Sequence, residues 1–152
     1  MSMLAFACRI TSPIVKLLNA LQHLVLLAIR LWMGEIFLQS GWNKLQDILN
    51  GNMDSVVELF EYVHPVPGIP PEIAAPLGTG GELVLGASLV LGLFSRFAAA
   101  GLIVMTVFIQ LALPQINTHM LWGLMFAVVL TRGGGALSAD ALLLKRLCKS
   151  KD

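Results

Sequence analysis

The chain of 152 residues carries little charge and little cysteine. Charged residues make up 12% of it, against about 25% in a typical soluble protein. Its 2 cysteines, Cys8 and Cys148, stand near opposite ends and form no CxxC pair, so the chain lacks the thiol arrangement of a disulfide-exchange enzyme. A formal net charge of +1 gives no reason to expect a nucleic-acid partner.

Apolar residues take the place of the missing charge. They make up 57% of the chain, and the mean hydropathy is +0.80, which argues against a soluble globular domain and for the lipid bilayer as the main partner. We find no metal, haem, flavin or nucleotide signature, so no residue set here can carry electrons by itself. We therefore do not expect a standalone enzyme, and the sequence names no cofactor.

Four apolar stretches near the length that a bilayer requires predict an all-α integral membrane four-helix bundle. We expect the spans at about residues 24–44, 73–94, 97–113 and 116–131. Residues 24–131 then form one membrane domain, preceded by a cytoplasmic or interfacial segment at 1–23 and followed by a basic cytoplasmic tail at 132–152.

Serine residues mark three expected helix starts. Ser12 followed by Pro13 predicts that the first helix begins there. Ser55 and Glu58 match a capping box, which would open a short helix lying on the membrane surface. Ser138 is expected to cap a tail helix whose leucines and basic residues suit anionic lipid.

The distribution of basic residues predicts the orientation. With both termini inside, eight lysines and arginines lie on the cytoplasmic side and only Lys44 lies outside. The positive-inside rule then places the N- and C-termini in the cytoplasm. Arg96, in the short turn after the second span, is expected to anchor that turn at the cytoplasmic surface.

The ionisable residues Arg30 and Glu82 fall well inside predicted spans. A charge near the bilayer centre costs roughly 3 kcal/mol, so each should find a partner inside the bundle. Helical periodicity places Arg30 and Lys44 on one stripe of the first helix with Gly34 and Gly41, which allow close approach of another backbone. We expect Glu82 to lie within reach of Arg30 or Lys44.

Further polar residues could surround a pocket in the outer half of the bundle. We expect Glu35 at about the level of Glu82, and His119 at a wet interface rather than on a metal. The complete candidate set for an intramembrane polar pocket or ion pair is Arg30, Glu35, Gln39, Lys44, Glu82, Gln110 and His119. Three interpretations stay open. Arg30 and Glu82 form a structural ion pair, or they belong to a binding pocket or proton path, or their side chains snorkel to the interface from spans with other limits.

The order of these residues resembles the DoxX family. The resemblance is carried by Arg30, Gly34, Gly41 and Lys44, then a proline-rich loop, then Glu82 in GGELVLGASLVLGLFSR, which ends at Arg96. It covers about residues 24–131. Because that family comprises small four-helix bacterial inner-membrane proteins, the resemblance implies a multi-pass protein of the bacterial inner membrane.

The resemblance also implies a function. The family takes its name from a subunit associated with thiosulfate:quinone oxidoreduction, so we expect an accessory subunit of a membrane redox system. It would be homo-oligomeric or bound to a partner protein, with a quinone or another small lipophilic ligand in the pocket. Arg30 and Lys44 would polarise an oxygen, and Glu82 or Glu35 would accept or relay a proton. The alternatives are a small transporter or channel, and a membrane scaffold without catalytic activity.

Overall fold

The computed structural model describes residues 3–149, with side chains described from 12 to 148. Within this part every secondary-structure element is a helix, which confirms that the fold is all-α. The helices are α1 Met3–Leu49, α2 Met53–Glu58, α3 Pro71–Leu91, α4 Ser95–Ala112, α5 Thr118–Arg132 and α6 Ala139–Lys149, and α2 continues into a π-helical turn at Leu59–Val63.

α1 is longer at both ends than expected. The predicted start at Ser12 is wrong, because Pro13 lies inside the helix. A proline removes one hydrogen bond and strains a helix, but the helix can continue through it. At the other end α1 runs to Leu49 rather than to about Lys44, because Ile48 packs against the buried side chains of Val56 and Phe60 and extends the packed surface.

One hydrophobic core joins α1, α3, α4 and α5. Its buried members are Leu26, Met33, Phe37, Leu89, Ala98, Ala99, Leu102, Phe126 and Val129. The opposite helix faces expose large apolar side chains, among them Leu31, Ile73, Val84, Phe97, Val104 and Leu124. An apolar core inside an apolar outer surface is what lipid around the bundle requires.

Small residues bring α1 and α3 together in antiparallel contact. A Cβ atom added at Gly34 would lie 3.0 Å from the carbonyl oxygen of Gly86, and one added at Gly41 would lie 3.0 Å from Cβ of Glu82. Backbones this close leave no room for a larger side chain. The predicted role of Gly34 and Gly41 is confirmed, and these contacts fix the register between the two helices.

Three helices are long and apolar enough to cross a membrane: Ser12–Leu49 within α1, Pro71–Leu91 and Ser95–Ala112. α5, the fourth predicted span, has 15 residues, fewer than the roughly 20 that a span needs. The four-span count and the cytoplasmic location of both termini therefore stay predictions. α3 ends three residues before the expected Phe94, because Gly92 adopts a left-handed conformation with φ of 68° and caps the helix.

The connection between α1 and α3 packs on the bundle, and its predicted position at the membrane surface stays a prediction. Val56 and Phe60 are buried with Ala74 and Ala75 of α3. The predicted capping box is wrong, because the hydroxyl of Ser55 donates to the carbonyl oxygen of Asn52 at 2.7 Å and no side chain caps α2.

The tail helix α6 begins as predicted. The hydroxyl oxygen of Ser138 accepts the backbone N–H of Ala141 at 3.2 Å, which is the N-cap bond. The role of Asp140 was not indicated by the sequence. Its carboxylate accepts hydrogen bonds from the backbone N–H groups of Phe94 and Ser95 at 2.7 and 2.9 Å. The two Asp140 bonds thus hold α6 against the start of α4. Cys148 is exposed and unpaired near the end of α6, while the side chain of Cys8 lies outside the described residues.

Candidate functional site: a buried ion pair beside an apolar cavity

Lys44 of α1 and Glu82 of α3 form a buried ion pair. The Nζ atom of Lys44 donates to both carboxylate oxygens of Glu82, at 2.7 and 2.9 Å, and to the hydroxyl oxygen of Ser40 at 2.6 Å. All three N–H bonds of the ammonium group are therefore satisfied. The two side chains are only 10% and 6% exposed, so solvent screens the pair weakly.

The close contact between α1 and α3 at Gly41 allows this pair to form. Gly41 lies one turn before Lys44 and against Cβ of Glu82, so the lysine side chain meets the carboxylate near the middle of α3. The sequence placed Glu82 at the level of Glu35, which is wrong by more than one helical turn. The register set by Gly34 and Gly41 moves Glu82 toward the far end of α1 and selects Lys44, one of the two predicted partners.

Arg30 is not the partner of Glu82, and the predicted Arg30–Glu82 pair is wrong. The guanidinium group of Arg30 is buried at the C-terminal end of α3. It donates to the carbonyl oxygens of Leu89 at 3.0 Å and Val90 at 3.2 Å, and to those of Gly134 and Leu137 beyond α5. The last carbonyls of a helix lack helical partners and carry partial negative charge, so this helix end binds the cation without a carboxylate contact. Arg30 holds α3 and the α5–α6 connection together.

Two adjoining hollows meet at Glu82. The first, the Phe60 hollow, measures about 190 Å³ and lies among Phe60, Val66, Met105 and Phe108. The second, the Trp122 hollow, measures about 130 Å³ and lies among Phe37, Ser40, His119 and Trp122. Their shared lining residues are His64, Glu82 and Ile109. We call the two together the Glu82 cavity. Mostly apolar walls with a few polar groups are typical of a site for a small lipophilic molecule.

His119 lines this cavity and carries an unpartnered polar atom. It is 8% exposed, and its Nδ1 atom is buried with no hydrogen-bond partner among the described residues. The ring lies edge-on to Trp122, with ring centroids 5.0 Å apart, so packing fixes its orientation. Phe37 also contacts Trp122 edge-on at 5.8 Å. A buried nitrogen without a partner is costly, and the ring that carries it lines the Trp122 hollow.

His64 is a further member of the cavity that the sequence did not indicate. It follows the π-helical turn and opens the proline-rich connection, and it lines both hollows. Burial first, and then the charges of Lys44 and His119, lower the pKa of His64 below its ordinary value. A lone histidine next to a proline-rich return is the only sequence signal that could have marked it, and that signal is weak.

Three predicted pocket residues lie elsewhere. Glu35 and Gln39 are exposed on the outward face of α1, in a shallow groove beside Leu83 of α3. Gln110 donates to the carbonyl oxygens of Leu113 and Pro114 at 3.5 and 3.4 Å and so covers the end of α4. None of the three lines the Glu82 cavity.

Arg96 lies in the first turn of α4 rather than in a free turn after α3. It is exposed, and its Nη2 atom lies 3.4 Å from the carbonyl oxygen of Thr131 at the end of α5. The residue therefore stands at the end of the bundle where α3 and α5 finish and α6 begins.

The fold and the site define a class: a small, all-helical membrane protein with a buried ion pair beside an apolar cavity. Within that class the family is specific. The DoxX family model matches residues 25–115, more than half of the chain, and the protein belongs to the DoxX family, which confirms the resemblance seen in the sequence. A search of curated proteins and a search of solved structures each found no match.

Proposed function

We propose that this DoxX-family membrane protein is an accessory subunit of a membrane redox system, and that its Glu82 cavity binds a quinone or a similar small lipophilic molecule. The two hollows are each smaller than a typical pocket for a drug-sized ligand. They suit a ring-sized head group whose apolar tail leaves toward lipid. Redox cofactors are proposed to belong to a partner protein, since this sequence carries no signature for one.

The observation that carries this proposal is the buried Nδ1 atom of His119 without a partner. A neutral imidazole nitrogen can donate to a carbonyl oxygen in one tautomer or accept from a hydroxyl group in the other. It can therefore hold both the oxidised and the reduced form of a quinone head group. The aromatic contacts with Trp122 keep the ring in place for either form.

Other side chains have supporting roles in this proposal. Glu82 gives the junction of the two hollows an acceptor, and Lys44 holds its carboxylate in one position. His64 lies where the proline-rich connection covers the cavity, so it can exchange a proton with solvent outside the spans. The chain thus binds and orients the ligand, excludes water and holds protons.

A binding titration tests the proposal. In a background of Trp32→Phe and Trp42→Phe, both exposed positions, Trp122 is the remaining tryptophan and reports on its hollow. A short-chain ubiquinone should quench its fluorescence saturably. His119→Phe, which keeps a ring but removes Nδ1, should weaken binding roughly tenfold, the equivalent of one good hydrogen bond.

The matched control is His23→Phe, at the opposite end of the bundle, where Nδ1 of His23 accepts the N–H of Ala136. It should bind like the parent. Equal binding by the parent and His119→Phe would refute the role of His119. Absence of saturable quenching, together with a lipid extract of the purified protein that contains no quinone, would refute quinone binding and favour a scaffold.

We further propose that the protein lies in the bacterial inner membrane with both termini in the cytoplasm. Support comes from the eight basic residues on one side against one on the other. Cys148, exposed on α6, offers a test in a Cys8→Ser background. A membrane-impermeant maleimide should label Cys148 in inverted vesicles and leave it unlabelled in intact cells. The reverse pattern would refute the orientation.

We also propose that the outward face of α1 contacts another subunit, either a second copy or a partner protein. Glu35 and Gln39 lie on this face, one helical turn apart. Polar groups that face hydrocarbon are costly, and a neighbouring helix would satisfy both. Cysteine cross-linking at Gln39, in a chain lacking Cys8 and Cys148, should give a dimer or a heterodimer in native membranes. Uniformly monomeric chains would refute the contact.

A further inference from the structure

A second cleft lies far from the Glu82 cavity, at the end of the bundle where α4 begins and α5 finishes. It measures about 490 Å³ and is walled by α6 on one side. Arg96 and Arg132 line it, together with apolar side chains that include Phe97 and Leu147. We call it the α6 cleft.

The two arginines of this cleft have no carboxylate partner within the part of the chain that the structure describes, where the ion pair is that of Lys44 and Glu82. Their hydrogen bonds are long. Nη2 of Arg96 lies 3.4 Å from the carbonyl oxygen of Thr131, and Nη1 of Arg132 lies 3.5 Å from the amide oxygen of Gln22. Most of the guanidinium donors therefore remain available for an anion.

Asp140, which also lines the cleft, forms no direct ion pair with either arginine among the described residues. Both oxygens of Asp140 already accept backbone N–H groups, those of Phe94 and Ser95 at the start of α4. The lining therefore carries two positively charged guanidinium groups and one carboxylate, which is already hydrogen-bonded to the backbone. Lys145 and Arg146 of α6 add further positive charge nearby.

The apolar part of the cleft identifies the kind of anion. Phe97 is 78% exposed and Leu147 is 66% exposed. Exposed apolar side chains of this kind do not favour a site that binds only free phosphate. A guanidinium pair flanked by exposed aromatic and leucine side chains matches a phosphate group joined to acyl chains. We propose that the α6 cleft binds the head group of an anionic phospholipid, with Arg96 and Arg132 on the phosphate and Phe97 and Leu147 against the acyl chains.

Native mass spectrometry of the purified full-length protein tests this proposal. Phosphatidylglycerol should bind in preference to phosphatidylcholine, and Arg96→Gln/Arg132→Gln should weaken phosphatidylglycerol binding roughly tenfold or more. The matched control is Lys145→Gln/Arg146→Gln, which removes two charges from the same helix region outside the cleft lining. It should retain most of the binding.

Several results would overturn the proposal. They are equal binding of the two lipids, unchanged binding in the arginine double variant, and loss of binding only in the Lys145/Arg146 control, which would indicate adsorption to α6 alone. Strong binding of inorganic phosphate that displaces the lipid would assign the site to a free anion.

A second measurement uses only the wild-type chain and does not depend on the variants folding. A photoactivatable phosphatidylglycerol analogue should label peptides from the first turn of α4 and from α6. Labelling confined to other helices would also refute the site.

Discussion

Breaking the Lys44–Glu82 pair from one side should destabilise the protein far more than removing both charges. Lys44→Met leaves the carboxylate of Glu82 buried, at 4% exposure, without its cation. Glu82→Met leaves the ammonium of Lys44 with only the hydroxyl of Ser40. Removing one partner of a buried pair costs about 3–5 kcal/mol.

The double variant Lys44→Met/Glu82→Met should recover most of that loss. Two unbranched apolar side chains then fill the space, and replacing a whole buried pair by apolar residues is often neutral or stabilising. The two single losses together should exceed the loss in the double variant by at least about 3 kcal/mol, which is the coupling energy of the pair.

Thermal unfolding in mild detergent, followed by tryptophan fluorescence, measures the effect. Each single variant should lower Tm by roughly 6–20 °C, since about 1 kcal/mol corresponds to 2–4 °C in a chain of this size. Glu58→Met, at an exposed position of α2, is the control and should change stability by less than about 0.5 kcal/mol. If a single variant does not fold, folding of the double variant alone supports the pair. Single variants that unfold like the parent, or a double variant worse than either single one, would refute the reasoning.

Three further predictions concern packing, pH and the α5–α6 connection. Gly41→Ala should lower the free energy of unfolding by about 1–3 kcal/mol through overpacking. Gly80→Ala is the control, because an added Cβ there meets nothing within 4 Å, and it should be neutral or stabilising. Equal effects of the two variants on Tm would contradict the close approach of α1 and α3. The pKa of His64 is lowered from 6.5 in the folded protein, so the unfolded chain takes up the proton at a higher pH. Stability should therefore fall as the pH drops below 6.5. The Tm of His64→Gln should depend less on pH, and a pH dependence equal to that of the parent would contradict the buried position of His64. Arg30→Met should loosen α6 and speed its cleavage by trypsin, because four backbone carbonyl groups lose their hydrogen-bond donor. Cleavage at the parent rate would show that Arg30 does not hold the α5–α6 connection in place.

Features that depend on residue type and spacing could be predicted from the sequence. Apolar length indicated the three helices that are long enough to cross a membrane. The small residues Gly34 and Gly41 indicated where a second helix approaches. The Ser138 cap followed from a local rule that needs only neighbouring residues. The cluster of polar residues pointed to a buried pair that includes Glu82, with Lys44 named as one of its two possible partners.

The partner of Arg30 could not be predicted in the same way. Its acceptors are backbone carbonyls at the end of α3 and beyond α5, and every residue type has a carbonyl group. Only the three-dimensional position of a helix end shows which of them lack partners. From the sequence, the carboxylate of Glu82 was therefore the predicted partner of Arg30, whereas in the structure Arg30 binds the end of a helix.

The cavity members depended on tertiary register and on loop folding. Glu35 and Gln39 were expected to face the pocket, but the rotation of α1 set by its glycine contacts turns them outward. His64 joins the cavity because the proline-rich connection folds back on α3, and no periodic pattern records the path of such a loop.

The pairing of Lys44 with Glu82 inside a lipid bilayer is best tested by solid-state NMR. Protein in lipid vesicles would carry nitrogen-labelled lysine side chains and carbon-labelled glutamate carboxyl groups. An Nζ atom 2.7 Å from a carboxylate oxygen should give a strong dipolar contact that disappears in Lys44→Met and persists in Arg30→Met. No lysine–glutamate contact, or one that survives in Lys44→Met, would contradict the site described here.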